Sequence, residues 1–268
     1  MPNGLDGTME MLPSAHMAEG DQKTVGLSLL FHPGDRPDAD AVERVIATAR
    51  ENGLFANVTL RPQGDATWLE ILASGLTFDL LGLEPGESTC VREPIQRFGF
   101  EEDLALDALE AIELIPSGHI IAGAGLQPVV RVMMGLAANI ALGLPTARAV
   151  AWGPANTLME PGYFCRMVLN WLGGGAFPAL GLTALLPAQD GSLASRGLAH
   201  FTGHEMQLEG RADELRADTA KLAVRVIDHF VRNGAVTQPQ RIDAGTQVLI
   251  AEPSQVGKLV FVWREATG

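Results

Sequence analysis

Residues 24–53 read TVGLSLLFHPGDRPDADAVERVIATARENG, and their patterning decides what kind of fold follows. Val25, Leu27, Leu29 and Phe31 alternate with Gly26 and Ser28, the period-two signature of a half-buried strand. His32-Pro33-Gly34-Asp35 then turns the chain into a helix starting near Asp38. It has acids in its first turn, an apolar face of Val42, Val45, Ile46 and Ala49, and a stop at Asn52-Gly53. Outward from this unit, Thr67 to Leu83 divides at Ser74-Gly75 into two short apolar runs, the pattern of an antiparallel hairpin. The first quarter therefore reads as β-α-β-β.

Between Glu84 and Glu102 the clusters Pro85-Gly86-Glu87 and Arg92-Glu93-Pro94 mark an internal boundary or a long loop. Patterning beyond it predicts a short helix at about 101–111, a strand at 119–124 and a helix at 127–142. A strand at 148–152 and a helix at 161–172 follow. The last third changes character. It predicts a strand near 182–186, a turn at Gln189-Asp190-Gly191 and a long strand over 198–208. A helix over 211–232 sets Leu215, Leu222, Val226, Ile227 and Phe230 on one face and ends at Gly234, before a hairpin of 247–250 with 258–263. The fold class expected is α+β, with mixed and antiparallel sheets packed against helices in two α/β sandwich-like halves. The divisions are a flexible leader over 1–22, a β-α-β-β unit over 23–100 and a main α+β domain over 101–268. If residues 84–102 are only a loop, the last two form one continuous domain, 23–268.

At 268 residues, 47% apolar and 19% charged, the chain is large enough to bury roughly three-quarters of its unfolded surface. Lys and Arg number 19 against 32 Asp and Glu, a formal charge of −13 that repels phosphate backbones and anionic headgroups. Nucleic acid and membrane surfaces are thereby disfavoured as partners. Cys90 and Cys165 alone build neither a disulfide framework nor a cysteine zinc site, so a reducing cytoplasm is the expected compartment. Asp6, Glu10, Glu19 and Asp21 interrupt the leader, which lacks the features of a secretory signal. The uncharged run 167–189 has the length of a membrane span, but Gly173-Gly174-Gly175 and Pro178 would break it. A helix end, a loop and a buried strand account for it better, and the uncharged run 132–147, with Asn139, reads as a core helix.

No cofactor is expected. Gly123-Ala124-Gly125 stands where a dinucleotide fingerprint would, but Pro128 replaces the third glycine and no acid closes the next strand; close helix packing is the plainer reading. His200, His204 and Glu205 invite a metal. On a strand, however, the two histidines would share a face while Glu205 points away, so they are weak candidates and no metal is assigned. No nucleophile elbow and no phosphate-binding loop is present. Glu70, Asp79 and Glu205 could each move a proton if buried in a pocket, and His119 reads as a structural residue. The most pocket-like stretch begins at Trp152-Gly153-Pro154-Ala155-Asn156, after a buried strand, and runs on to Glu160, Tyr163 and Arg166. Candidate binding residues are therefore Trp152, Asn156, Tyr163, Arg166 and Glu205, with Trp152 as a plain core anchor the competing reading.

One block of motifs comprises His119-Ile120-Ile121, Leu144-Pro145, Ala149-Val150-Ala151-Trp152-Gly153 and Phe164. A second comprises residues Arg196 to Met206, Asn233-Gly234 and Asp243-Ala244-Gly245-Thr246. Together, over 119–268, they resemble bacterial proteins grouped as domain of unknown function 4261. The resemblance implies an α+β module without an established activity, whose relatives stand beside candidates for toxin immunity, and it carries no catalytic residue set. The leading expectation is a non-catalytic interaction protein whose acidic surface engages a protein partner, toxin neutralisation being one version. The alternative is an enzyme with a small-molecule pocket near Trp152–Arg166 to which Glu205 or His119 contributes. A third reading is self-association through the uncharged run 167–189.

Overall fold

In the computed structural model, which describes residues 25–51, 53–211, 214–245 and 247–265, the chain opens with β1 (Leu27–Phe31), α1 (Ala39–Glu51), β2 (Ala56–Leu60), β3 (Trp68–Ala73) and β4 (Leu76–Leu81). It continues through β5 (Gln96–Phe98), β6 (Glu110–Pro116), a 3₁₀ turn (Ile121–Gly123), α2 (Gln127–Gly143), β7 (Ala149–Trp152), β8 (Thr157–Met159) and α3 (Pro161–Leu172). The kinked turn α4 (Ala179–Leu182), β9 (Ala184–Pro187), β10 (Leu193–Arg196), the short α5 (Ala199–Thr202) and β11 (Glu205–Leu208) come next. The chain closes with α6 (Arg216–Asn233), β12 (Gln240–Asp243), β13 (Val248–Pro253) and β14 (Leu259–Arg264). The expected leader lies outside the described residues.

Eight strands form one sheet, β2-β3-β4-β6-β1-β7-β8-β5, and six form a second, β12-β13-β14-β11-β10-β9. Each is antiparallel except for one pair, β5 with β8 and β11 with β14. The fold is thus α+β with mixed sheets, as expected. Buried residues of both sheets and of α1, α2, α3 and α6 form one continuous apolar cluster instead of a separate core for each half.

The opening unit folds as its sequence dictates. Asp38 caps α1 by accepting a hydrogen bond from the Ala41 amide at 2.7 Å, and Val42, Ile46 and Ala49 are buried. In the hairpin, Ser74 and Gly75 take φ of 48° and 83°, the left-handed pair of a two-residue turn, which sets Ala73 opposite Leu76.

β1, however, is buried on both faces, not half-buried. It lies between β6 and β7, and on its second face Leu30 packs with Ala111, Ala149, Ala151 and Leu158 beneath Val91, Phe100, Leu104, Leu106 and Leu109. The Pro- and Gly-rich stretch is therefore a cover for the sheet. The division drawn at residue 100 falls inside that sheet, because β5 and β6 stand on either side of it in sequence.

Four other expectations give way. The helix at 101–111 is irregular chain leading into β6, whose apolar alternation is interrupted in sequence by Glu110 and Glu113. The strand at 119–124 is the 3₁₀ turn. The long strand over 198–208 is broken by Gly197 and Gly203, with φ of 89° and 83°, into β10, the helical turn α5 and β11. Leu215, placed on the apolar face of α6, precedes the helix and is 73% exposed.

The run 167–189 divides into the end of α3, α4 and β9, with Val168, Trp171, Phe177, Leu182 and Leu185 buried. Most of its apolar surface is consumed inside the molecule, leaving little for contact between copies. Among the described residues, no helix is long and apolar enough to cross a membrane.

Candidate functional site

Trp152 is fully buried, and its indole N–H donates to the Leu182 carbonyl at 3.0 Å. The Thr157 hydroxyl donates to the Gly181 carbonyl, and the Tyr163 hydroxyl to the Leu180 carbonyl at 3.1 Å. These three side chains hold down the segment 180–182 where its backbone leaves helical geometry. Tyr163 also stacks on Phe98, with ring centroids 6.2 Å apart, and burial pushes its phenol pKa up against the opposing charge of Arg166.

Asn156 occupies the turn between β7 and β8 at φ 52° and donates through Nδ2 to the Glu93 carbonyl at 2.8 Å. Arg166 lines a cleft of about 610 Å³ together with Glu160 and residues 99–104. Glu160 is already committed there, since its two oxygens cap α3 through the Gly162 and Tyr163 amides at 2.8 and 2.5 Å. The structure thus gives Trp152 the role of core anchor and gathers the expected pocket residues around structural bonds.

Glu205 lies elsewhere. Its carboxylate accepts from the Ser195 hydroxyl at 2.6 Å and from the amides of Gly197, Leu198 and Ala199 at 2.9, 3.2 and 3.2 Å. Four donors on one carboxylate fix the turn into α5 and occupy the lone pairs that a proton-transfer role would need. His204 is buried, its Nε2 accepts from the Val236 amide at 3.1 Å, and burial lowers its pKa. His200 packs edge-on against Trp152, with centroids 5.3 Å apart.

The two histidines therefore do not share an open face, and the described residues contain no group of three or more potential metal ligands. Gly125 faces the molecule's own backbone, for a Cβ there would come within 2.0 Å of the His200 carbonyl oxygen. That is close packing, not a cradle for a pyrophosphate.

A different surface has the character of a site. α2 packs against one side of β3, β4 and β6. On the opposite side, Trp68, Glu70 and Leu72 of β3, Thr77, Asp79 and Leu81 of β4, and Glu113 and Ile115 of β6 all remain part-exposed. Strand register arranges them in rows: Trp68 opposite Leu81 and Leu81 opposite Glu113, then Glu70 opposite Asp79 and Asp79 opposite Ile115.

The rows continue into β1 as Ser28, opposite Glu113. Residues of the segment 91–109 close the same face over Leu30, the start of β6 at Ala111, β7 and β8, whereas its side chains on β3, β4 and the later part of β6 are part-exposed. Glu70 accepts from the Thr59 hydroxyl at 2.7 Å, and Asp79 from the Ser117 hydroxyl at 2.6 Å. Thr77 Oγ1 and His119 Nε2 lie 2.8 Å apart at its border.

Burial pushes the Glu113 carboxyl pKa up. Glu70 and Asp79 stand directly opposite on neighbouring strands, each bonded to a hydroxyl of its own. Glu70 and Asp79 stand out singly in the sequence. Their pairing was legible in the turn at Ser74-Gly75, from which both are equally distant, but Glu113 and β6 were not.

No family model matches the chain, and comparisons with curated proteins and with solved structures return no match.

Proposed function

We propose that the protein is a non-catalytic interaction module that engages a protein partner through the open face of the eight-stranded sheet. The observation that carries this reading is the contrast within one sheet face. One half is sealed by Val91, Phe100, Leu104, Leu106 and Leu109, while the other leaves Trp68, Leu72, Leu81 and Ile115 part-exposed among carboxylates. A flat surface mixing large apolar side chains with charge resembles the core and rim of a recognition surface. The commitment of Trp152, Tyr163, Glu160 and Glu205 to internal bonds favours it over the alternative of a small-molecule pocket near Trp152–Arg166.

The test is partner capture from the native host by the wild-type chain and by Leu72→Arg, with thermal melting of both. The reading expects a stoichiometric partner that wild type retains and Leu72→Arg loses while its melting temperature holds. Equal retention by the two proteins would overturn it.

A further inference from the structure

The three carboxylates on the open face, two in one row and one in the next, say what kind of partner it fits. We propose that this face seats a cationic amphipathic helix of the partner, with apolar side chains on Trp68, Leu72, Leu81 and Ile115 and Lys or Arg side chains against Glu70, Asp79 and Glu113. The inference rests on the reading of this face as a recognition surface and deepens it.

Three observations carry it. The first is size: adjacent strands lie about 4.8 Å apart, so β3, β4 and β6 present a width of about 10 Å, the breadth of one α-helix. The opposite side of the same three strands already packs α2, so a helix on the open side would complete a helix-sheet-helix stack.

The second is charge without a counter-charge. Glu70 and Asp79 are held only by the neutral hydroxyls of Thr59 and Ser117, and among the described residues no cation pairs with either of them or with Glu113. Glu70 and Asp79 stand directly opposite each other, and Glu113 lies diagonally from Asp79. A cation above this cluster would supply a counter-charge that no cation among the described residues supplies, and burial already raises the Glu113 carboxyl pKa.

The third is the exclusion of the chain's own candidates. Residues 1–24 carry Asp6, Glu10, Glu19 and Asp21 against Lys23, and a second copy brings a net charge of −13. Both would add like charge to the face, whereas a basic helix is complementary.

The experiment titrates the full chain with two synthetic helical peptides of about 18 residues, five turns long, which share one leucine face. One carries lysine and the other glutamine on its polar face, and binding is followed by calorimetry at low and high salt. The lysine peptide is expected to bind more tightly than the glutamine peptide and to weaken as salt rises. The triple variant Glu70→Gln, Asp79→Asn, Glu113→Gln is expected to lower its affinity about tenfold, the sum of three partly exposed ion pairs. A control triple with the same change of net charge, Glu101→Gln, Glu102→Gln, Asp103→Asn, is expected to leave the affinity unchanged.

Equal affinities for the two peptides, equal effects of the two triple variants, or no binding of either peptide would overturn the inference. The reading beneath it fails separately. If the lysine peptide binds Leu72→Arg as tightly as wild type, the open face is not the recognition surface. If Leu72→Arg abolishes binding of both peptides while charge makes no difference, the surface stands and the cationic helix does not.

Discussion

Glu113 is a residue whose burial works against stability at neutral pH. Its carboxyl pKa is raised by burial, so the folded chain binds a proton more readily than the unfolded chain does. Its contribution is therefore most favourable below the ordinary glutamate range and is lost as pH rises through the raised value. Glu113→Gln is expected to raise the thermal midpoint at neutral pH and to leave it unchanged near pH 4, which melting curves at the two pH values check. Cys165 is the opposite kind of residue. It is buried beside the Ala138 carbonyl, and burial and the Glu160 charge push its thiol up to about 11, so it stays protonated and unreactive. A thiol reagent is expected to modify exposed Cys90 in the native protein and to reach Cys165 only on unfolding. Burial class was readable at neither position. Glu113 interrupts an apolar run in the sequence, and only the pairing of β6 with β1 and β4 shows what its side chain faces.

At the scale of elements, legibility followed length and local chemistry. α2 and α3 were readable to within a residue because each has a long apolar pattern and a proline in its first turn. The β3–β4 hairpin was readable because Ser74-Gly75 separates two short apolar runs and can take the left-handed pair of a two-residue turn. β5 and β8, of three residues each, and edge strand β2, with its bulge between Val58 and Leu60, are too short or too irregular to show a period. The expected strand at 198–208 breaks at Gly197 and Gly203, both visible in the sequence, while the bonds of Glu205 back to the amides of 197–199 that fix the turn have no period to show them. Contact between the start of α2 and the α5 turn was equally invisible, and Gly125 is where it is made. Gly125→Ala would drive a methyl group into the His200 carbonyl, and the expected cost is about 1–3 kcal/mol in denaturant unfolding, with the shift taken up by α5. An unchanged unfolding midpoint would mean that this approach is not tight.

Over the whole molecule, the α+β class was legible but the division into halves was not, because the boundary signal at 84–102 belongs to a segment that covers a sheet. Proline, glycine and charge mark a linker and a surface cover alike. The candidate site was half legible for the same reason: two of its carboxylates stood out, but which part of a sheet face stays open is decided by a cover far away in sequence. The excess of acidic over basic residues supports the account at this scale, since three of the acids are gathered where Trp68, Leu72, Leu81 and Ile115 also remain part-exposed. The most direct measurement is site-specific photo-crosslinking in the native host, with a photoreactive side chain at Leu72 on the open face and a control at Lys221, exposed on α6. The account predicts one discrete protein adduct from position 72 and none from position 221. No adduct at 72, or the same adducts from both positions, would contradict it.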